Sequence, residues 1–160
     1  MPFWFSETDH IFRHFRKSTL DADEPTKRRI FLDRKSKICL VAHLDTVQPP
    51  HIKKIQRSKL FGAGFDDRIG ALVAFELAEK LKLDLLLTDL EERGQSTAKH
   101  HNFKAYNWVC EFDRAGNDVV TYRRHSKPFR KALAKYWEIG HGSFSDICEI
   151  KNQSCAFNIG

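Results

Sequence analysis

Residues 66–89 constrain the fold of this chain more than any other stretch. DDRIGALVAFELAEKLKL is long, rich in Ala and Leu and apolar on most faces, so it predicts a helix packed against a sheet. LDLLLTD continues it as an unbroken apolar run of strand length, the pattern of a parallel strand buried on both faces. A helix feeding such a strand requires a layered α/β arrangement.

The alternation continues on both sides. RRIFLDR and KICLVAHLD are short apolar runs separated by the polar residues 34–37, and they predict a hairpin. Pro49 and Pro50 then mark a Lys-rich loop. GQSTAKHH predicts a short helix, and NWVCEFD and VVTYRR predict strands. SKPFRKALAKYWEI predicts a helix beginning near Pro128, SDICEI a short helix-like piece and CAFNIG a central strand. The N-terminal segment reads as an amphipathic helix opened by Ser6, with Asp9 as its capping-box partner, ending in the turn DADEPT. The predicted fold class is α/β: a three-layer sandwich with a mostly parallel central sheet, residues 1–160 forming a single domain.

Composition narrows the function classes. At 160 residues and 41% hydrophobic, the chain can bury a core and is not of disordered composition. No run approaches the roughly 18 apolar residues of a membrane helix, and the N-terminus has no apolar core with a cleavage site. A cytoplasmic protein without a membrane partner is expected. Cys39, Cys110, Cys148 and Cys155 form no C-x-x-C pair, so free thiols are expected and a zinc ribbon is not. The net charge of +6 comes from basic clusters at residues 27–29, 34–35, 53–54 and 123–124. These alternate with acidic residues and match no nucleic-acid motif, which points to a solvated surface able to attract acidic ligands.

Four short motifs carry the chemistry: HLD at 43–45, FDDR at 65–68, EE at 91–92 and EFD at 111–113. Three follow apolar strand runs, and FDDR follows the flexible GAG. Parallel strands bring their carboxyl ends to one sheet edge, so an imidazole and several carboxylates converge there. Unpaired, such carboxylates repel one another; two divalent cations about 3.5–4 Å apart neutralise them and form a hydrolytic centre. An imidazole among carboxylates suits zinc and, to a lesser degree, cobalt or manganese. His43 and Asp45 are two apart on a strand and face one side, so Asp45 can accept a hydrogen bond from the ring nitrogen that is not on the metal. Taken singly, each motif has a plainer structural use. A strand His is a core residue, DD an N-cap, EE a solvated pair and Asp before R-A-G a turn residue. For Asp67, a helix N-terminal carboxylate or an orienting group for Arg68 is the favoured role.

Taken together, HLDT, then G-x-G-F-D-D-R-x-G opening a helix, then EE-x-G, then EFDR resemble the zinc aminopeptidase superfamily with two co-catalytic metals (peptidase clan MH). That superfamily includes leucyl and glutamyl aminopeptidases, peptidase T and carboxypeptidase G-type enzymes. The resemblance runs from about residue 38 to 118 and implies the phosphorylase/hydrolase-like zinc peptidase fold. It implies that His43 and Asp113 are ligands of the first metal and that Asp66 bridges both. Glu92 would be a ligand of the second metal, Asp45 a carboxylate behind His43, and Glu91 the general base. The implied activity is hydrolysis of amide bonds in a peptide or acylated amino acid by a metal-activated water, with aminopeptidase-like specificity. No segment is long enough for the lid or dimerisation insertion of larger members. The family's last histidine has no counterpart: after Asp113 only His125 and His141 occur, and the chain stops at CAFNIG. A C-terminally truncated catalytic domain is therefore expected, with a weakened second metal site. The alternative is a metal-binding, catalytically weak or inactive remnant that serves as an interaction module.

Overall fold

The computed structural model describes residues 3–57 and 59–160, apart from the side chains of Leu60, Asp66 and Asp67. The strands are β1 (Thr19–Leu20), β2 (Arg29–Leu32), β3 (Ile38–His43), β4 (His51–Gln56), β5 (Lys59–Ala63), β6 (Asp84–Thr88), β7 (Trp108–Phe112), β8 (Asp118–Val120), β9 (Glu138–Ile139) and β10 (Cys155–Ile159). The helices are α1 (Thr8–His14), α2 (Asp66–Leu81) and α3 (Lys127–Leu133). Eight strands form one sheet in the order β1-β2-β6-β3-β7-β10-β8-β9. Its centre, β6-β3-β7-β10, is parallel throughout, while β2 and β8 join it antiparallel. The chain is therefore mixed α/β, built on a large and mostly parallel sheet.

β6 explains the order. Every one of its residues is buried, and Leu85, Leu86 and Leu87 are fully so. A strand buried along its length needs a ladder on each side, because unpaired backbone amides cost too much away from water. β2 supplies one ladder and β3 the other. The hairpin predicted between β2 and β3 does not form for that reason: β6 lies between them.

Other differences have local causes. The Lys-rich stretch after Pro50 is not a loop but the antiparallel hairpin β4–β5, a second two-stranded sheet in which β4 is almost wholly exposed. The N-terminal helix is only α1, flanked by 3-10 turns at Phe3–Phe5 and Arg16–Ser18. Its N-cap is Glu7, without a side-chain cap, because Ser6 Oγ donates instead to the Phe3 carbonyl at 2.7 Å. The short helix expected in GQSTAKHH is a 3-10 turn, Thr97–His100, capped by Ser96, which accepts from the Ala98 amide at 3.0 Å.

Strand alternation divides the core. Leu40, Ala42, Leu85 and Leu87 face α1, α2 and α3 through Ile11, Phe12, Ala71, Ala74, Ala78 and Leu133. Cys39, Val41, Leu86 and Val109 face the other way, onto Ala98, Phe103, Tyr106, Ile147 and Ile150. The second face is thus covered by 3-10 turns and loops rather than by long helices. No described helix is long and apolar enough to cross a membrane.

α2 lies very close to the carboxyl end of β7. A Cβ added at Gly70 would stand 2.0 Å from the Phe112 carbonyl oxygen, one residue before Asp113. A Gly70→Ala variant must push the helix off the sheet, an overpacking cost of about 1–3 kcal/mol. Urea unfolding should show that loss; an unchanged midpoint would contradict the close approach.

His101 gives a second expectation. It is wedged between Phe31 and Phe103, with ring centroids 4.4 and 4.7 Å away. Burial, and next the charge of Arg29, push its pKa down to about 4 from 6.5. A depressed histidine favours the neutral folded form, so its contribution is complete above pH 6.5 and is lost as pH falls towards 4. Replacing His101 with Leu should remove an acid-side loss on the order of 2 kcal/mol from the stability–pH curve.

Candidate metal centre

The parallel centre of the sheet sets up the site. His43 is the last residue of β3 and pairs in register with Thr88, the last of β6. The Leu44 amide extends that ladder to the Thr88 carbonyl at 2.9 Å. Asp113 follows β7 directly, and Glu91 opens the 3-10 turn Glu91–Arg93 beyond β6. One ligand atom each from His43, Glu91 and Asp113 lies within 4.8 Å of the others. This group can hold a metal ion.

The turn that delivers Glu91 is strained. Leu90 sits in the left-handed region at φ 67°, which a bulky residue adopts only when its surroundings impose it. The reversal points two successive amides at Asp45, whose carboxylate accepts from Glu91 N and Glu92 N, each at 3.1 Å. Burial alone would raise the Asp45 carboxyl, but His43 and those two amides hold it below its ordinary range.

His43 is 1% exposed, and its two ring nitrogens have different neighbours. Nδ1 lies 3.0 Å from the Asp45 carbonyl oxygen and 3.4 Å from its carboxylate. A carbonyl only accepts, so Nδ1 donates to it and Nε2 is the ring nitrogen turned toward the carboxylates. Nε2 faces Asp113 Oδ2 at 3.6 Å and Glu91 Oε2 at 3.9 Å. Ligand atoms around one tetrahedral zinc are roughly 3.3–3.5 Å apart, given bond lengths of about 2.0–2.2 Å. The His43–Asp113 spacing comes close to that value, and Glu91 stands slightly further out. The donor set therefore fits a divalent cation with His43 and Asp113 as the tighter pair.

More negative charge lies behind this group. Glu111 and Asp146 are fully buried. Ser145 Oγ donates to Glu111 Oε2, and the Asp146 amide donates to Oε1 at 3.3 Å. Thr88 Oγ1 donates to Asp146 Oδ2. Burial pushes both acids up, reinforced at Glu111 by the charges of Asp146 and Asp113. Burial likewise raises Glu91 to about 7, with Asp146, Asp113 and Glu92 adding to the effect and His43 opposing it. Asp113 is held from below: its amide donates to Asn158 Oδ1 at 2.9 Å, and Asn158 Nδ2 donates to its carbonyl at 2.7 Å.

The structure thus gathers His43, Asp45, Glu91 and Asp113 of the residues singled out in the sequence. Glu92 contributes its amide, while its side chain is exposed and outside the three-group cluster. Asp66 opens α2, but its side chain, with that of Asp67, lies outside the described residues. His125 and His141 line a different cavity, on the β8–β9 side. Sequence reasoning missed Ser145, Asp146 and Asn158, which come from late segments. The signal present was polar residues inside otherwise apolar runs, SDICEI and CAFNIG. A cavity of about 640 Å³ opens beside the centre, walled by Asp45, Leu90, Glu92, Thr8, Arg28 and Arg68. Compared with known proteins, the sequence matches no family model and no curated relative.

Asp45 ties together the imidazole and the turn carrying Glu91. An Asp45→Asn variant keeps the shape but cannot accept as strongly from both amides. It should lose about 1–3 kcal/mol of stability and bind zinc roughly 10–100-fold more weakly. Unfolding and zinc titration measure the two effects; unchanged zinc affinity would contradict the assigned role.

Proposed function

We propose that this chain is a metal-dependent hydrolase of amide bonds, a peptidase of the aminopeptidase type, with His43 and Asp113 holding a divalent cation and Glu91 acting as general base. The observation that carries this reading is the placement of His43 Nε2 against two carboxylates, Asp113 at the end of β7 and Glu91 just beyond β6, the latter raised to about 7. Zinc suits one imidazole among carboxylates, and cobalt or manganese are the nearest substitutes. The order of the four motifs supports kinship with the co-catalytic zinc aminopeptidases and their fold.

Each residue has a definite task. Asp45 holds the His43 ring with Nε2 turned toward the carboxylates. When bound, the cation polarises the scissile carbonyl and the attacking water. Glu91, raised close to neutrality, takes a proton from that water and returns it to the departing amine nitrogen; such a base contributes most when its pKa is near the working pH. The adjoining cavity, about 640 Å³, is large enough for one or two residues of a peptide or an acylated amino acid.

Zinc-loaded protein should hydrolyse aminoacyl-anilides or short peptides, and Glu91→Gln should retain the metal while losing turnover by roughly 10²–10⁴-fold. Metal content and initial rates are measured on the same preparations. Stoichiometric metal without Glu91-dependent turnover would sink the hydrolase reading and leave a metal-binding interaction module.

A further inference from the structure

A second cavity, of about 580 Å³, lies on the β8–β9 side of the sheet. Arg123, His125, Arg130 and His141 all line it, and among the described residues no aspartate or glutamate does. Arg28, Arg29, Arg34 and Arg114 each meet a carboxylate. Among the described residues, Arg123 and Arg130 meet none. The nearest carboxylate on β8, that of Asp118, is already taken by Arg114, which donates to both of its oxygens.

The backbone is shaped to this arrangement. Tyr122 and Arg123 are consecutive non-glycine residues in the left-handed region, at φ 46° and 63°. Each such conformation costs on the order of 1–3 kcal/mol and persists only where its surroundings impose it. Tyr122 is anchored by its hydroxyl, which donates to the Phe144 carbonyl at 3.0 Å. His125 is fixed by Thr121, Oγ1 to Nδ1 at 2.6 Å, which leaves Nε2 as its open ring nitrogen. Two guanidinium groups and two imidazoles around a half-open volume, with no carboxylate among the described residues of its lining, create a positive potential that one small anion can neutralise. The volume suits a small molecule rather than a polymer.

We infer that this cavity is a binding site for a small, doubly charged oxyanion, a phosphate or a dicarboxylate, held by Arg123 and Arg130 and flanked by His125 and His141. The site stands apart from the His43 group and does not depend on the hydrolytic reading. It takes the anion as a ligand, with no bond made or broken.

Calorimetric titration of the full chain with inorganic phosphate, and separately with succinate, at constant ionic strength tests this. Saturable binding of either anion is expected. It should weaken at least about tenfold in Arg123→Gln and in Arg130→Gln, since each removes a charged hydrogen-bond donor. Lys131→Gln, on α3 but outside the cavity lining, should bind as the unmodified chain does. Which anion binds more tightly separates the two sources. Thermal midpoints without anion establish that the variants are folded. Absence of saturable binding with both anions, or equal affinity in folded arginine variants, would overturn the assignment.

Discussion

One buried imidazole among several carboxylates is the interaction on which this structure turns. His43, Asp45, Glu91, Asp113, Glu111 and Asp146 crowd one sheet edge, and two of the acids are fully buried. Among the described residues, no lysine or arginine ion-pairs with Glu91, Asp113, Glu111 or Asp146. Removing carboxylates from water without a counter-charge is costly, and the usual remedies are a shifted pKa or a bound cation. Burial pushes the enclosed acids up, and the front group has the spacing to hold a cation.

Much of the fold is arranged to bear that charge. The parallel ladders of β6, β3 and β7 bring three strand ends together, and the close approach of α2 at Gly70 seats the helix against the end of β7. The strained Leu90 turn directs two amides onto Asp45. Asn158 reaches from β10 to hold the backbone of Asp113 through two hydrogen bonds. The N-terminal segment is tied in by Arg68, fully buried, whose guanidinium donates to the Trp4 carbonyl and to Thr8 Oγ1 at 3.2 and 2.8 Å. Thr8 in turn donates to the Leu44 carbonyl at 3.2 Å, next to His43.

The parts legible in the sequence were those with strong local patterns. The helix of residues 66–81 and the strands ending at His43, Thr88 and Phe112 follow from apolar runs, so the positions of His43 and Asp113 at strand ends, and of Glu91 shortly beyond one, could be read directly. Pairing partners were not legible, because β2 and β3 are neighbours in sequence while β6 inserts between them only once the burial of Leu85–Leu87 has to be satisfied on both sides. The β4–β5 hairpin lacked a signal because β4 is almost wholly exposed and carries Lys53 and Lys54 side by side, with no buried alternation to mark a strand. Ser145, Asp146 and Asn158 were hidden for another reason: their roles come from long-range contacts, to Glu111, Thr88 and Asp113, that no local pattern encodes.

X-ray absorption at the zinc edge of the zinc-loaded full chain tests the central claim most directly. An imidazole nitrogen and carboxylate oxygens should surround the metal at about 2.0–2.2 Å, and His43→Ala should abolish the nitrogen shell. A sulfur shell at about 2.3 Å, or failure of the chain to retain zinc, would place the cation elsewhere and contradict the account.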